Sequence, residues 1–181
     1  NLSLASGGVI SAPSGLSTLT ANGASSIAGT ITTSGNQSYV GAVTLTANTT
    51  LISGTGNITF GSTINGTTSD TESLTLNAGA SGVIAFAGAI GGTTRLSDLV
   101  ISNAGSLVLG ANSTVNIPNA FTLNKALAGA GFSFGVTNDA VITANITGVS
   151  SLTIGGTTTL GANVTTTGAQ TYTGAVTISG A

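Results

Sequence analysis

The chain has 181 residues, of which two are basic and four acidic, giving a formal net charge of −2. It contains no His, Cys or Met, which removes disulfide scaffolds, thiol nucleophiles, imidazole bases and the softer metal ligands. Arg95 and Lys125 stand alone, so there is no basic cluster to neutralise nucleic-acid phosphates or to hold a helix on a membrane surface.

Taken in chain order, the segments read as strands and turns. Apolar residues alternate with Thr or Ser in 17–21, 43–47, 58–64, 73–76 and 151–154, and β-branched residues dominate them. Pro13 and Pro118 fit edges or corners. Asn22-Gly23 and Asn65-Gly66 predict tight turns, because both residues tolerate positive φ. The uncharged run 78–92 is Gly- and Ala-rich and shorter than the ~20 apolar residues a spanning helix needs, so no membrane span is expected. The run 128–135, AGAGFSFG, predicts an irregular turn. No apolar stripe with helical period is sustained anywhere, and the class is all-β.

Two repeats are superimposed on this pattern. Residues 31–45 recur as 164–178, with nine identities in fifteen positions at an offset of 133. A shorter beat is marked by Asn22, Asn48, Asn77, Asn103, Asn124, Asn145 and Asn163, each closing a strand-like segment. Their mean spacing of ~23–24 residues lies in the range of stacked repeats. Together with the scarcity of charge, this predicts a parallel β-helix, or β-solenoid, of seven or eight coils of roughly 20–27 residues. Equivalent positions in such a stack meet about 4.8 Å apart. Like charges at that spacing repel by roughly 0.9 kcal/mol even in water, whereas Asn amides can form ladders. The seven Asn residues are therefore candidates for a structural ladder, and Phe60, Phe86 and Phe134, spaced near multiples of one beat, for an aromatic stack. Residues 1–181 read as one continuous solenoid segment of a longer repetitive protein.

The chemistry-bearing residues are few. All six charges, Asp70, Glu72, Arg95, Asp98, Lys125 and Asp139, lie in the middle of the chain and are expected in loops or at interruptions of the stack. Asp70 and Glu72 could suggest a carboxylate pair, or with Asp98 a calcium site. The competing expectation is a solvated loop with a surface ion pair, and neither catalysis nor a cofactor is expected. Sequons of the form N-x-[ST] begin at Asn36, Asn48, Asn57, Asn65, Asn112, Asn145 and Asn163, making glycosylation a possibility. Tyr39 and Tyr172 occupy equivalent places in the long repeat, which favours a structural role over a ligand contact.

The runs 35–66, 74–102 and 156–180 resemble the β-strand repeats of filamentous-haemagglutinin-like exoproteins and autotransporter adhesins of Gram-negative bacteria. The resemblance implies that the parallel β-helix is right-handed, and that the protein is exported to the cell surface or the extracellular matrix. It carries over no binding residue. The expected role is a structural stalk segment of a large secreted adhesin; the alternative is a self-assembling fibre or sheath subunit built by end-to-end stacking. Expected partners are neighbouring copies or flanking repeats of the same protein, and host or matrix surfaces.

Overall fold

The computed structural model describes residues 2–4, 8–11 and 15–179, and among these there is no helix. The chain is a β-solenoid of about eight turns whose strands all pair in parallel with the coil before and the coil after. Each coil carries three short strands, which stack into three faces. Face 1 is an unbroken nine-stranded sheet running from Leu2–Leu4 through Leu19–Ala21, Gln37–Tyr39, Ile58–Phe60, Val83–Phe86, Ser106–Leu109, Leu127–Ala128 and Ile146–Val149 to Val164–Thr166. At the standard inter-strand spacing it is roughly 38 Å long.

The local reason is a six-residue unit. Three residues run inward, outward, inward, and three turn the corner; Leu19 and Ala21 are buried around Thr20, and Ile58 and Phe60 around Thr59. In the regular coils this places strand starts at Leu19, Ser25 and Ile31, and again at Ile146, Leu152 and Thr158. Glycine occupies corners where coil backbones approach most closely. A Cβ on Gly41 would lie 2.6 Å from the Gly23 carbonyl oxygen, and one on Gly88 would lie 2.8 Å from the Ser62 carbonyl carbon.

Coil length is shorter and more variable than the Asn beat suggests. Leu2 pairs with Leu19, then the column passes through Gln37, Ile58, Ile84, Leu107, Leu127, Ile146 and Val164, steps of 17, 18, 21, 26, 23, 20, 19 and 18 residues. Three six-residue units make the 18-residue coil. The longer steps are coils with inserted loops.

Several local expectations need correction. The 58–64 segment is two strands, Ile58–Phe60 and Ile64–Gly66, separated by a corner. Asn65-Gly66 is the end of a strand, not a turn; its glycine is needed because the Glu72 carboxylate packs where a Cβ would sit. In 128–135 the turn is confined to Ala130 and Gly131, both with positive φ, while Phe134 opens the next strand. Pro118 lies in a corner segment, and Pro13 lies outside the described residues.

The core is one continuous column of Leu, Ile and Val with aromatic rows. Each such side chain, fully buried, contributes roughly 1.5–3 kcal/mol. On face 1 Tyr39 stacks on Phe60 at 5.3 Å and 13°, and Phe60 on Phe86 at 5.7 Å and 4°. Phe134 is not part of this stack. It lies on face 2, in the strand Phe134–Val136, and meets Phe121 edge-on at 6.3 Å.

Candidate functional site

Residues with chemistry to offer fall into two groups: a charged loop, and the polar corners. The loop is the insertion that lengthens the coil beginning at Ile58. After the strand Ile64–Gly66 the chain leaves the stack, turns at Asp70 with φ 63°, and returns through Glu72 into the strand Ser73–Asn77. The coil above carries a matching insertion that lies against it: Asp70 N–H donates to the Arg95 carbonyl at 3.0 Å and Ser97 N–H to the Glu72 carbonyl at 2.8 Å.

The acidic residues do not converge. Asp70 takes both arms of the Arg95 guanidinium, Nε to Oδ1 at 2.7 Å and Nη2 to Oδ2, an exposed bidentate pair that raises the arginine's pKa. Glu72 is only 4% exposed. Its carboxylate accepts the Thr67 hydroxyl and, at 3.3 Å, the Thr68 N–H. Burial alone pushes its pKa up, but these hydrogen bonds outweigh burial and hold it below the ordinary carboxylate value. Asp98 accepts the N–H of its neighbour Leu99 at 2.8 Å. Among the described residues no group of three or more acidic side chains could hold a metal ion. The three calcium candidates, Asp70, Glu72 and Asp98, thus serve three separate partners.

The polar corners follow a rule that the Asn beat only partly samples. An Asn placed just before a strand's first inward residue turns its Oδ1 toward the next coil and accepts the backbone N–H directly above. Asn36 accepts from Asn57 at 2.9 Å, Asn57 from Val83 at 2.9 Å, Asn48 from Ser73 at 2.9 Å, Asn112 from Ser133 at 2.9 Å and Asn145 from Asn163 at 3.1 Å. Asn65 receives Thr93 N–H at 3.0 Å, and Asp139 does the work of an Asn by receiving Thr157 N–H at 2.7 Å. The corner N–H is thereby satisfied where the sheet ladder does not reach it.

Polar residues that follow a strand do the converse and donate to the preceding coil. Asn116 and Asn124 bond the carbonyls of Gly91 and Ile101, both at 3.2 Å, and Thr137 bonds that of Val115 at 2.9 Å. Of the seven ladder candidates, Asn77 and Asn103 share one column and Asn145 and Asn163 another. Asn48 belongs to the accepting corners and Asn124 to the donating ones, so the seven do not form one ladder. Asn22 has an interaction of its own.

This rule explains the sequons. Corner Asn, inward residue, outward Ser or Thr is what Asn36-Gln37-Ser38, Asn57-Ile58-Thr59 and Asn145-Ile146-Thr147 spell, so N-x-[ST] arises from the coil pattern itself. It was also the one signal in the sequence that pointed to Asn36, Asn57, Asn65 and Asn112, which the 23–24-residue beat passes over.

The long repeat also changes meaning. Gln37 and Tyr39 lie on face 1, whereas Gln170 and Tyr172 pair with Leu152 and Ile154 on face 2. Both copies build the same network: the Gln amide donates to a carbonyl and a threonine hydroxyl one strand back, and the Tyr hydroxyl donates to the Gln oxygen, at 3.0 Å in the first copy and 2.9 Å in the second. Burial raises the pKa of both phenols. Tyr39 is sealed in the core, consistent with a structural part. No protein-family model, curated protein or solved structure matches the chain.

Proposed function

We propose that this chain is a stiff structural segment, a length of stalk within a large secreted or cell-surface bacterial adhesin, with no catalysis of its own. The observation that carries the reading is the face 1 sheet, which pairs strand on strand through every coil with nothing but short corners between most of them. A rod so built transmits position over distance, and its stiffness comes from backbone hydrogen bonds that any in-register sequence can supply. The resemblance of 35–66, 74–102 and 156–180 to exported repeat proteins supports placement outside a Gram-negative cell, as does a cysteine-free chain that threads a secretion channel without crosslinks.

A second reading, an end-to-end fibre, draws on the last described strand, Val176–Ile178, where Val176 is 42% and Ile178 67% exposed. No described coil covers these residues, and a further coil, from the same chain or another copy, would continue the ladder. Electron microscopy of the purified protein separates the two. Solitary short rods are expected; micrometre-long fibres formed by this segment alone would replace the stalk with the fibre.

A further inference from the structure

The three faces are not equally continuous where the coil beginning at Ile84 meets the coil beginning at Leu107. Face 1 crosses that joint intact, with Val83–Phe86 and Ser106–Leu109 in register over four residues. Face 2 crosses by a single bridge, Ile90 to Val115, with hydrogen bonds of 2.8 and 2.9 Å. Face 3 does not cross. Asp98–Asn103 ends one sheet and Phe121–Leu123 begins another, and no backbone hydrogen bond joins them.

Side chains occupy part of the gap. Leu99 N–H, which would donate across the joint in a continuous ladder, instead meets Asp98 Oδ1, and the Ile101 carbonyl receives Asn124 Nδ2. Between the two edges lies a cleft of about 210 Å³ lined by residues that include Val100 and Thr122. On either side of it the stack is tight. Face 3 pairs Thr50 with Thr75 and Thr75 with Val100 below the cleft, and Thr122 with Val141 and Val141 with Thr159 above it.

We propose that this joint is a hinge. Face 1 is the leaf that stays paired, face 3 is the side that opens and closes, and the solenoid is two stiff rods that flex about Val83–Phe86 and Ser106–Leu109. The capping of Leu99 N–H and the Ile101 carbonyl by side chains is what lets face 3 part without exposing those groups unsatisfied. Motion is confined to one direction because face 1 cannot lengthen without breaking its ladder.

The chain has no cysteine, so paired nitroxide labels can be introduced cleanly. Ser38→Cys with Thr147→Cys on face 1, and Thr50→Cys with Thr159→Cys on face 3, each span five coil steps, about 24 Å, and both cross the joint. The expected result is a distance distribution at least about twice as wide for the face 3 pair. Equal widths overturn the hinge. Hydrogen exchange on the unlabelled protein tests the premise: the amides of Ile101 and Thr122 should exchange at least about 100-fold faster than that of Leu123 in the intact ladder, and equal protection overturns the proposal as well.

Discussion

The coils at the two ends and the coils in the middle are built to different rules. Where the step is 17 or 18 residues, three six-residue units close the coil and no charged residue occurs. The steps of 26, 23, 20 and 19 residues hold all six charges: Asp70 and Glu72, Arg95 and Asp98, Lys125, and Asp139. The sheet explains the contrast. A residue in a regular coil meets its counterpart about 4.8 Å above and below, and a charge there is penalised by its own kind. An inserted loop leaves the column, so its side chains choose other partners. Asp70 then pairs with a guanidinium and Glu72 with hydroxyl and amide donors. Five of the six charges lie outside strands, and Asp98 is the first residue of one.

The largest effect that separates the two regions should come from the regular part. Leu152 is fully buried between Phe134 and Gln170, and Leu152→Ala should cost about 2–5 kcal/mol by thermal or denaturant unfolding. A smaller loss would mean that the coil collapses to fill the cavity.

In the middle, Glu72→Gln keeps an acceptor for the Thr67 hydroxyl but can set an amide donor against the Thr68 N–H, at a cost of about 1–3 kcal/mol. Because the folded-state pKa of Glu72 lies below its ordinary 4.5, its contribution is complete above that value and is lost as the pH falls through the lower, folded-state value. The Gln variant should lose that part of the pH dependence, and an unchanged acid limb of the stability curve would remove Glu72 as a brace.

Back in the regular coils, Thr158 Oγ1 is buried with no hydrogen-bond partner. Thr158→Val replaces that hydroxyl with a methyl group of similar shape, and should stabilise by about 1 kcal/mol, read as a higher Tm. A lower Tm would indicate a water or another unseen partner. Smallest of all, Asp70→Asn removes an exposed ion pair and should leave the unfolding midpoint unchanged at moderate salt. A clear loss there would make the charged loop a structural clamp.

Much of the architecture could be read from particular residues. The alternation in 43–47 and 73–76 and the absence of helical stripes fixed the class, because inward and outward positions in a strand demand different side chains. Coil length was hidden. The chosen Asn residues belong to several corners, some accepting from the coil above and some donating to the coil below, and the loops at 66–72 and 91–97 stretch the interval between them. Phe134 was assigned to the stack of Phe60 and Phe86 on spacing alone, while Tyr39, a true member of it, was set aside for its polar tip. The open seam on face 3 left no trace in the sequence, since an unmade backbone bond has no residue signature.

The Gln-x-Tyr unit on face 1 reappears on face 2 with its hydrogen bonds unchanged, so each six-residue block carries its own folding instructions and is indifferent to which side of the rod it lands on. Insertion or deletion of six residues at a corner would then rotate everything downstream by one side without spoiling a single inward position. A gene of this kind can drift in length in small steps, and each step re-aims its projecting loops around the axis.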